Sequence, residues 1–423
     1  MTTSDSVLTG PRPTSVPSVG PVVAELEDEI VSFRRDLHRH PELSYEEYRT
    51  TDRIVELLSG YGLSPVRMES TGAYVDVGEG PVVLALRADI DALPVEEETG
   101  LPYVSVNDGV AHACGHDMHT AVMAGVAVAL GRILRGATAD PDLRAVGERV
   151  HGTVRVIFQP AEEGGRGARP MVAAGVVDGV DHFFAGHLGC LLPSGAVAPM
   201  ATGFLYSNKL DAFLEGRAAH AAMGPQEGRN ALLAGATAAL NLHAISRHAD
   251  SPTLVNVGRM VAGSGRNVIA DSCHLVLEVR GGSQEALDYM DHRAREVLAG
   301  AAAMQDVALR IEEMGGSIGA MPSPEAAAIV AEVARSVPGI TRIEPEWPIG
   351  GGDDATLMLR RVQEQGGSAT YFLLGADLKG IHHAVDFDFD EAALPQGVDL
   401  FAGIAERVLG SDGPRHRKGS AAP

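Results

Sequence analysis

Between Ser207 and Met314 the chain changes its alternation of elements, and this change constrains the fold more than any other feature. Apolar runs at Ser207–Gly216, Thr253–Val261, Ser272–Arg280 and Val307–Met314 read as strands. Gly228–Arg247 and Ser283–Gly300 carry helical spacing. The order is βαββαβ, the ferredoxin-like pattern, which makes a compact unit. Strands and helices also alternate on both sides of it. The spacing therefore predicts an α+β unit inserted into a larger α/β domain.

Before the insertion, helices are expected at Glu25–Arg39 and Tyr45–Leu58, followed by a buried strand at Val82–Arg87. The loop Ala88–Pro94 carries Asp89 and Asp91. A buried helix is expected at Thr120–Leu134, and Pro160 stops a strand at Thr153–Phe158. After it come a helix at Ala326–Val337, the loop Gly350–Asp354, a strand at Thr370–Leu374 and a helix at Glu391–Leu409. These elements place one domain at 22–202 and 317–410 and the inserted unit at 203–316. Tails without periodicity are expected at 1–21 and 411–423. The first twenty residues are rich in Ser, Thr and Pro and lack the cationic start and apolar core of a signal peptide.

With 423 residues the chain can bury two cores. Its 34 basic and 56 acidic residues give a net charge of -22, which argues against nucleic-acid or anionic-membrane partners. The apolar stretch Ala121–Ile133 is too short to span a bilayer. Cys114, Cys190 and Cys273 are odd in number and far apart, so a reduced, cytoplasmic setting is expected rather than a disulfide framework.

Chemistry concentrates in His112–His119, His-Ala-Cys-Gly-His-Asp-Met-His. Thiolate and imidazole suit borderline divalent metals. Gly115 lets a tight loop turn Cys114 and His116 towards one point. A buried Cys beside a hydrogen-bonded His at a helix start fits the same residues. Glu162 and Glu163 follow a strand end; one could face a metal and the other its water, or both could line an exposed acidic loop. His187 ends the apolar run Phe183–Gly186, as a ligand or a structural His. His382 and His383 precede an acidic, aromatic segment and could add a ligand. No HExxH, G-x-S-x-G or Walker loop occurs. Gly350–Gly352 is no phosphate cradle, because Asp353 and Asp354 behind it would repel the anion.

In order, these segments resemble the co-catalytic metallo-amidohydrolases of the aminoacylase and carboxypeptidase superfamily. They are Asp36–Leu43 (DLHRHPEL), Arg87–Pro94 (RADIDALP), His112–Thr120 (HACGHDMHT), Phe158–Gly164 (FQPAEEG), Gly186–His187, Gly216–Ala222 (GRAAHAA) and Gly351–Ala355. The chain is most similar to the branch holding hippurate, indoleacetyl-amino-acid and p-aminobenzoyl-glutamate hydrolases. Val255–Asn267, Gly352–Leu359 and the His382–His383 pair before FDFDE are similar to the A-subunit group of the last of these. Most of the branch has a Pro two residues after its final His, where this chain has Val385.

The resemblance implies a catalytic α/β metallohydrolase domain with an inserted ferredoxin-like lid and dimerisation domain. It implies that Cys114, His116, Glu163, His187 and His383 hold two divalent ions, Mn²⁺ or Zn²⁺. Glu162 would be the general base, and His220 would reach the site of a partner subunit, identical or paralogous. Asn267 and Arg280 are candidates for the substrate carboxylate; Asp91 and Asp117 are candidates for orienting ligands. The implied reaction is hydrolysis of an N-acyl or N-aroyl amino acid, p-aminobenzoyl-glutamate most specifically. The competing readings are a dipeptidase and a catalytically silent partner subunit.

Overall fold

The computed structural model describes residues 20–137, 141–149 and 151–410. The expected tails lie outside the described residues, except that Gly20 and Pro21 already belong to the first helix, Gly20–Arg39.

An eight-stranded mixed sheet forms the larger part. Its order is Val66–Arg67, Ala73–Glu79, Gly152–Gln159, Val82–Asp89, His182–Leu188, Ser368–Leu374, Ala196–Ala198 and Arg342–Ile343. The central strands Gly152–Gln159, Val82–Asp89, His182–Leu188 and Ser368–Leu374 run parallel to one another. Alternation along each strand feeds two cores, because successive side chains point to opposite faces. Leu84, Leu86, Phe184 and Phe372 face one core; Ala85, Phe183, Ala185 and Tyr371 face the other. Helices Gly20–Arg39, His116–Leu134 and Ala393–Leu409 cover the first face, and Ala355–Glu364 helps cover the second.

The helix His116–Leu134 is apolar and long enough to cross a membrane, yet it is buried almost all round against the sheet and its neighbouring helices. It starts four residues before the expected Thr120, so His116, Asp117 and His119 lie on its first turn. Gly115 caps it at φ +94, and a Cβ there would meet Leu188 Cδ1 at 2.8 Å. Glycine satisfies both demands.

The inserted unit has the expected βαββαβ order. Its antiparallel sheet runs Ala308–Ser317, Tyr206–Glu215, Ser272–Gly281, Thr253–Ala262, with helices Ala231–His243 and Gln284–Met304 on one face. Leu210, Ala212, Leu214, Leu275 and Leu277 point into that core. The other face is polar at the end that carries Ser207, Lys209, Glu278 and Arg280, and farther along holds Phe213 stacked on His274.

Candidate metal centre

The site assembles where the parallel strands release their carboxyl ends, the usual position for sites in α/β sheets. Val82–Asp89 leads to Asp89 and Asp91, Gly152–Gln159 to Glu162 and Glu163, and Ser368–Leu374 to the loop with His382 and His383. His187 is the penultimate residue of His182–Leu188. Cys114 and His116 approach from the start of the buried helix.

The donor atoms are sorted by their hydrogen bonds. His116 Nδ1 bonds the Asp91 carbonyl at 2.9 Å, and His187 Nδ1 the Leu188 carbonyl at 2.9 Å. Each ring is thereby oriented with Nε2 turned towards the other site residues, the arrangement that outer partners give to metal-binding imidazoles. His187 Nε2 lies 3.5 Å from Cys114 Sγ. His116 Nε2 is 3.8 Å from Glu163 Oε1, and both atoms are buried without a hydrogen-bond partner. His383 Nε2 is 3.4 Å from Glu163 Oε2. Cys114, His116 and Glu163 offer ligand atoms all within 4.8 Å of one another. Orphaned buried N and O atoms beside a thiol fit a divalent cation.

A second grouping of Asp89, His116, His119 and His187 is also close enough for a metal. Its His119, however, is already committed. Nδ1 bonds Asp89 Oδ1 at 2.6 Å, and Nε2 accepts from the Leu188 amide at 3.1 Å. His119 thus braces the strand end beside His187. Asp89 is buried and also accepts from Arg87 at 2.7 Å, so it does more than cap a turn.

Asp91 ties the two glutamates to the rest. Its carboxylate accepts the amides of Glu162 and Glu163 at 3.1 and 3.0 Å and the Ser44 hydroxyl at 2.6 Å. Asp117 goes elsewhere: it pairs with Arg34 Nε at 2.6 Å and His38 Nδ1 at 2.9 Å, not with the site. Consecutive helical residues point about 100° apart, so Asp117 cannot share the direction of His116.

Behind Glu162 lies a buried network that sequence reading missed. Arg87 bonds Asp89, Gln159 and Asp353, Tyr371 donates to Asp353 at 2.6 Å, and Gln159 donates to Asp354 at 2.6 Å. Glu162, Asp353 and Asp354 form a third close acidic group. The signal was available: Arg87 ends an apolar strand, and a charge buried there demands partners.

Electrostatics show the site short of positive charge. Burial, then Asp353 and Glu163, raise Glu162 well above the ordinary carboxyl range. Burial pushes Glu163 up to about 7 against the opposing pull of His116. Burial and the neighbouring Glu163 likewise raise the Cys114 thiol. Burial and His119 hold His187 well below its usual value. A divalent cation would neutralise this excess of acids and leave the imidazoles in their ligating, neutral form.

A cavity of about 660 Å³ opens over these groups. Leu191, Trp347, Pro348 and Ile349 supply an apolar wall, and Ser207, Lys209 and Arg280 come from the polar face of the inserted sheet. His220 and Asn267 are not brought to this cavity. Their segments are linked by a bridge between His220 and Val268 and by the Ala221 amide bonding the Asn267 carbonyl. Asn267 sits in the hairpin at the far end of Ser272–Gly281, about 30 Å along the strand from Arg280. Within one chain the two therefore do not meet at one carboxylate.

The profile of peptidase family M20/M25/M40 matches residues 85–407. Indole-3-acetyl-aspartic acid hydrolase of Enterobacter agglomerans is 37% identical, across 92% of this chain and 97% of that protein. The A-subunit of p-aminobenzoyl-glutamate hydrolase from Escherichia coli is 38% identical, across 92% and 98%. A dinuclear metal-binding M20 peptidase of Bacillus subtilis superposes with a TM-score of 0.66 at 28% identity, covering 91% of this chain and 99% of that one.

Proposed function

The chain belongs to peptidase family M20/M25/M40 and is a metal-dependent hydrolase, and from that premise we propose that it cleaves the amide bond of N-acyl or N-aroyl amino acids. p-Aminobenzoyl-glutamate is the most specific candidate substrate; relatives that share over a third of the residues act on that compound or on an indoleacetyl-aspartate. The observation that carries the reading is the convergence of the Cys114, His116 and Glu163 ligand atoms beside the half-buried Glu162 carboxyl group, under a cavity lined by apolar residues and by Lys209 and Arg280.

In this reading Cys114, His116, Glu163, His187 and His383 hold two divalent ions, Mn²⁺ or Zn²⁺, both of which mixed S, N and O donors tolerate, so that metal availability decides between them. When bound, the pair supplies Lewis-acid polarisation of the amide carbonyl and makes water more acidic. Glu162 lies at the cavity wall with its amide fixed by Asp91. It takes a proton from the attacking water and returns it to the departing nitrogen, a shuttle worth roughly 10²–10⁴ in rate. The apolar wall takes the acyl group, and Arg280 takes a carboxylate of the amino acid.

His220 accepts the amides of Ala222 and Met223 on Nδ1, so its Nε2 carries the proton. We assign it, with Asn267, to the site of a second subunit, identical or paralogous. Exposed Leu254, Met260 and Val261 on the edge strand Thr253–Ala262, with Val268 beside it, support a contact there. Three unpaired cysteines favour a reducing, cytoplasmic setting.

The test is an assay of purified protein with Mn²⁺ or Zn²⁺ on N-aroyl and N-acetyl derivatives of glutamate, aspartate and glycine, with unblocked dipeptides alongside. Release of the free amino acid from the N-aroyl compounds supports the proposal. Cleavage of dipeptides alone would replace it with a dipeptidase, and no turnover with metals bound would leave a silent partner.

A further inference from the structure

We propose that Lys209 selects substrates whose amino-acid half carries a second carboxylate; the inference rests on the N-acyl amino-acid hydrolase reading and sharpens its substrate class. Lys209 projects from the inserted sheet into the cavity, on the same face as Ser207 and Arg280. Its register partner on the neighbouring strand is Glu278. That carboxylate is taken by Arg280, whose Nε and an outer guanidinium nitrogen donate to it at 3.1 and 2.9 Å. Lys209 is therefore left with one bond, to the neutral backbone carbonyl of Glu163 at 2.6 Å, and makes no ion pair among the described residues.

An ammonium has three donors, and two of these remain for the cavity. A half-buried cation without a counter-ion is costly unless a ligand supplies one. The cavity thus presents two cationic groups, Lys209 and Arg280, together with the acidic centre and the apolar residues Leu191, Trp347, Pro348 and Ile349. An N-acyl glycine offers one carboxylate to this pair. An N-acyl aspartate or glutamate offers two, and its side-chain carboxylate is the anion that Lys209 fits. Neutralising Lys209 removes a charge-assisted hydrogen bond.

The experiment compares kcat/KM for p-aminobenzoyl-L-glutamate and p-aminobenzoyl-L-glutamine, using metal-loaded wild-type enzyme, Lys209→Met and Lys209→Arg. The two substrates differ only in the side-chain charge. Wild type should prefer glutamate at least tenfold. Lys209→Met should cut that ratio about 10- to 100-fold, the loss of a hydrogen bond to a charged group, and Lys209→Arg should restore part of it. A wild-type preference below tenfold overturns the inference without any variant. So does a ratio unchanged in Lys209→Met, including the case where both rates fall together because the Glu163 carbonyl has lost its brace. If wild type cleaves neither compound nor any other N-acyl amino acid, the hydrolase reading fails as well, and the two failures are told apart.

Discussion

The backbone amide of Ala161 donates to the buried Glu47 carboxyl group at 2.8 Å, which anchors the loop carrying Glu162 and Glu163 to the N-terminal segment. Ala161 holds φ +52, a conformation that costs energy outside glycine and persists only where its surroundings impose it. Thr71 donates to the other Glu47 oxygen at 2.6 Å, and Tyr45 OH holds the Arg166 carbonyl at 2.7 Å. Glu47→Ala would leave a buried amide and hydroxyl without an acceptor. Chemical denaturation should show a loss of about 2–4 kcal/mol, and kcat should fall more than KM rises. An unchanged kcat in folded protein would mean that this anchor does not position Glu162.

The same residue gives a pH prediction. Burial, reinforced by the Asp91 charge, raises Glu47 to about 7, against about 4.3 in an unfolded chain. The folded state therefore favours the protonated form. Its contribution to stability is complete below the unfolded value and is lost as pH rises through 7, at a cost on the order of 3 kcal/mol. Glu47→Gln keeps a neutral carbonyl acceptor for Ala161 and does not titrate. Its stability relative to wild type should climb between pH 5 and pH 8, and parallel unfolding curves across that range would refute the assignment.

Arg87 is fully buried among Asp89, Gln159 and Asp353, with Asp354 at 3.7 Å. Removing one member of such a group leaves its charges uncompensated, which costs about 3–5 kcal/mol. Arg87→Met should lower the unfolding free energy by that measure in denaturant. A loss below about 1 kcal/mol would show that the acids are held protonated and need no cation.

Much of this was legible in the primary structure because the site residues occupy short motifs at strand ends. The order of the inserted unit was legible too, since each of its strands and α-helices spans ten or more residues, enough for a period to show. Ala196–Ala198 and Arg342–Ile343 escaped because two or three residues carry no period. The Arg87–Asp353 pair joins positions 266 residues apart, and only the closure of the sheet brings them together. Asp117 was misplaced for the opposite reason: adjacency to His116 in sequence becomes divergence on a helix. Asn267 and Arg280 share a hairpin but lie at opposite ends of its strand.

Glu162 and Glu163 are neighbours with different expected roles, and substitution separates them. Glu162→Gln removes the proton carrier while leaving Cys114, His116, Glu163, His187 and His383 intact. Metal content by elemental analysis should match wild type, and kcat should drop about 10²–10⁴-fold. Glu163→Gln should instead lose metal. Appreciable turnover in Glu162→Gln, or equal metal loss in both variants, would sink the division of labour.

The adjacent His382 and His383 are separable in the same way. His382 packs edge-on against His187 and tilted against Phe387, at 5.2 and 5.4 Å between ring centroids. Burial and the nearby His119 and His383 bring it down to about 4, and its Nε2 is buried without a hydrogen-bond partner. His383 is held at φ +70, its amide bonded to the Ala113 carbonyl at 2.7 Å, next to Cys114. That pairing fixes the loop so that His383 Nε2 faces Glu163 at 3.4 Å. His383→Ala should therefore lower metal affinity and remove part of the rise in Tm on adding Mn²⁺ or Zn²⁺, since a ligand bound only to the folded state stabilises it. His382→Phe should keep that rise while shifting activity only modestly. The reverse pattern in a metal-dependent thermal shift would exchange the two roles.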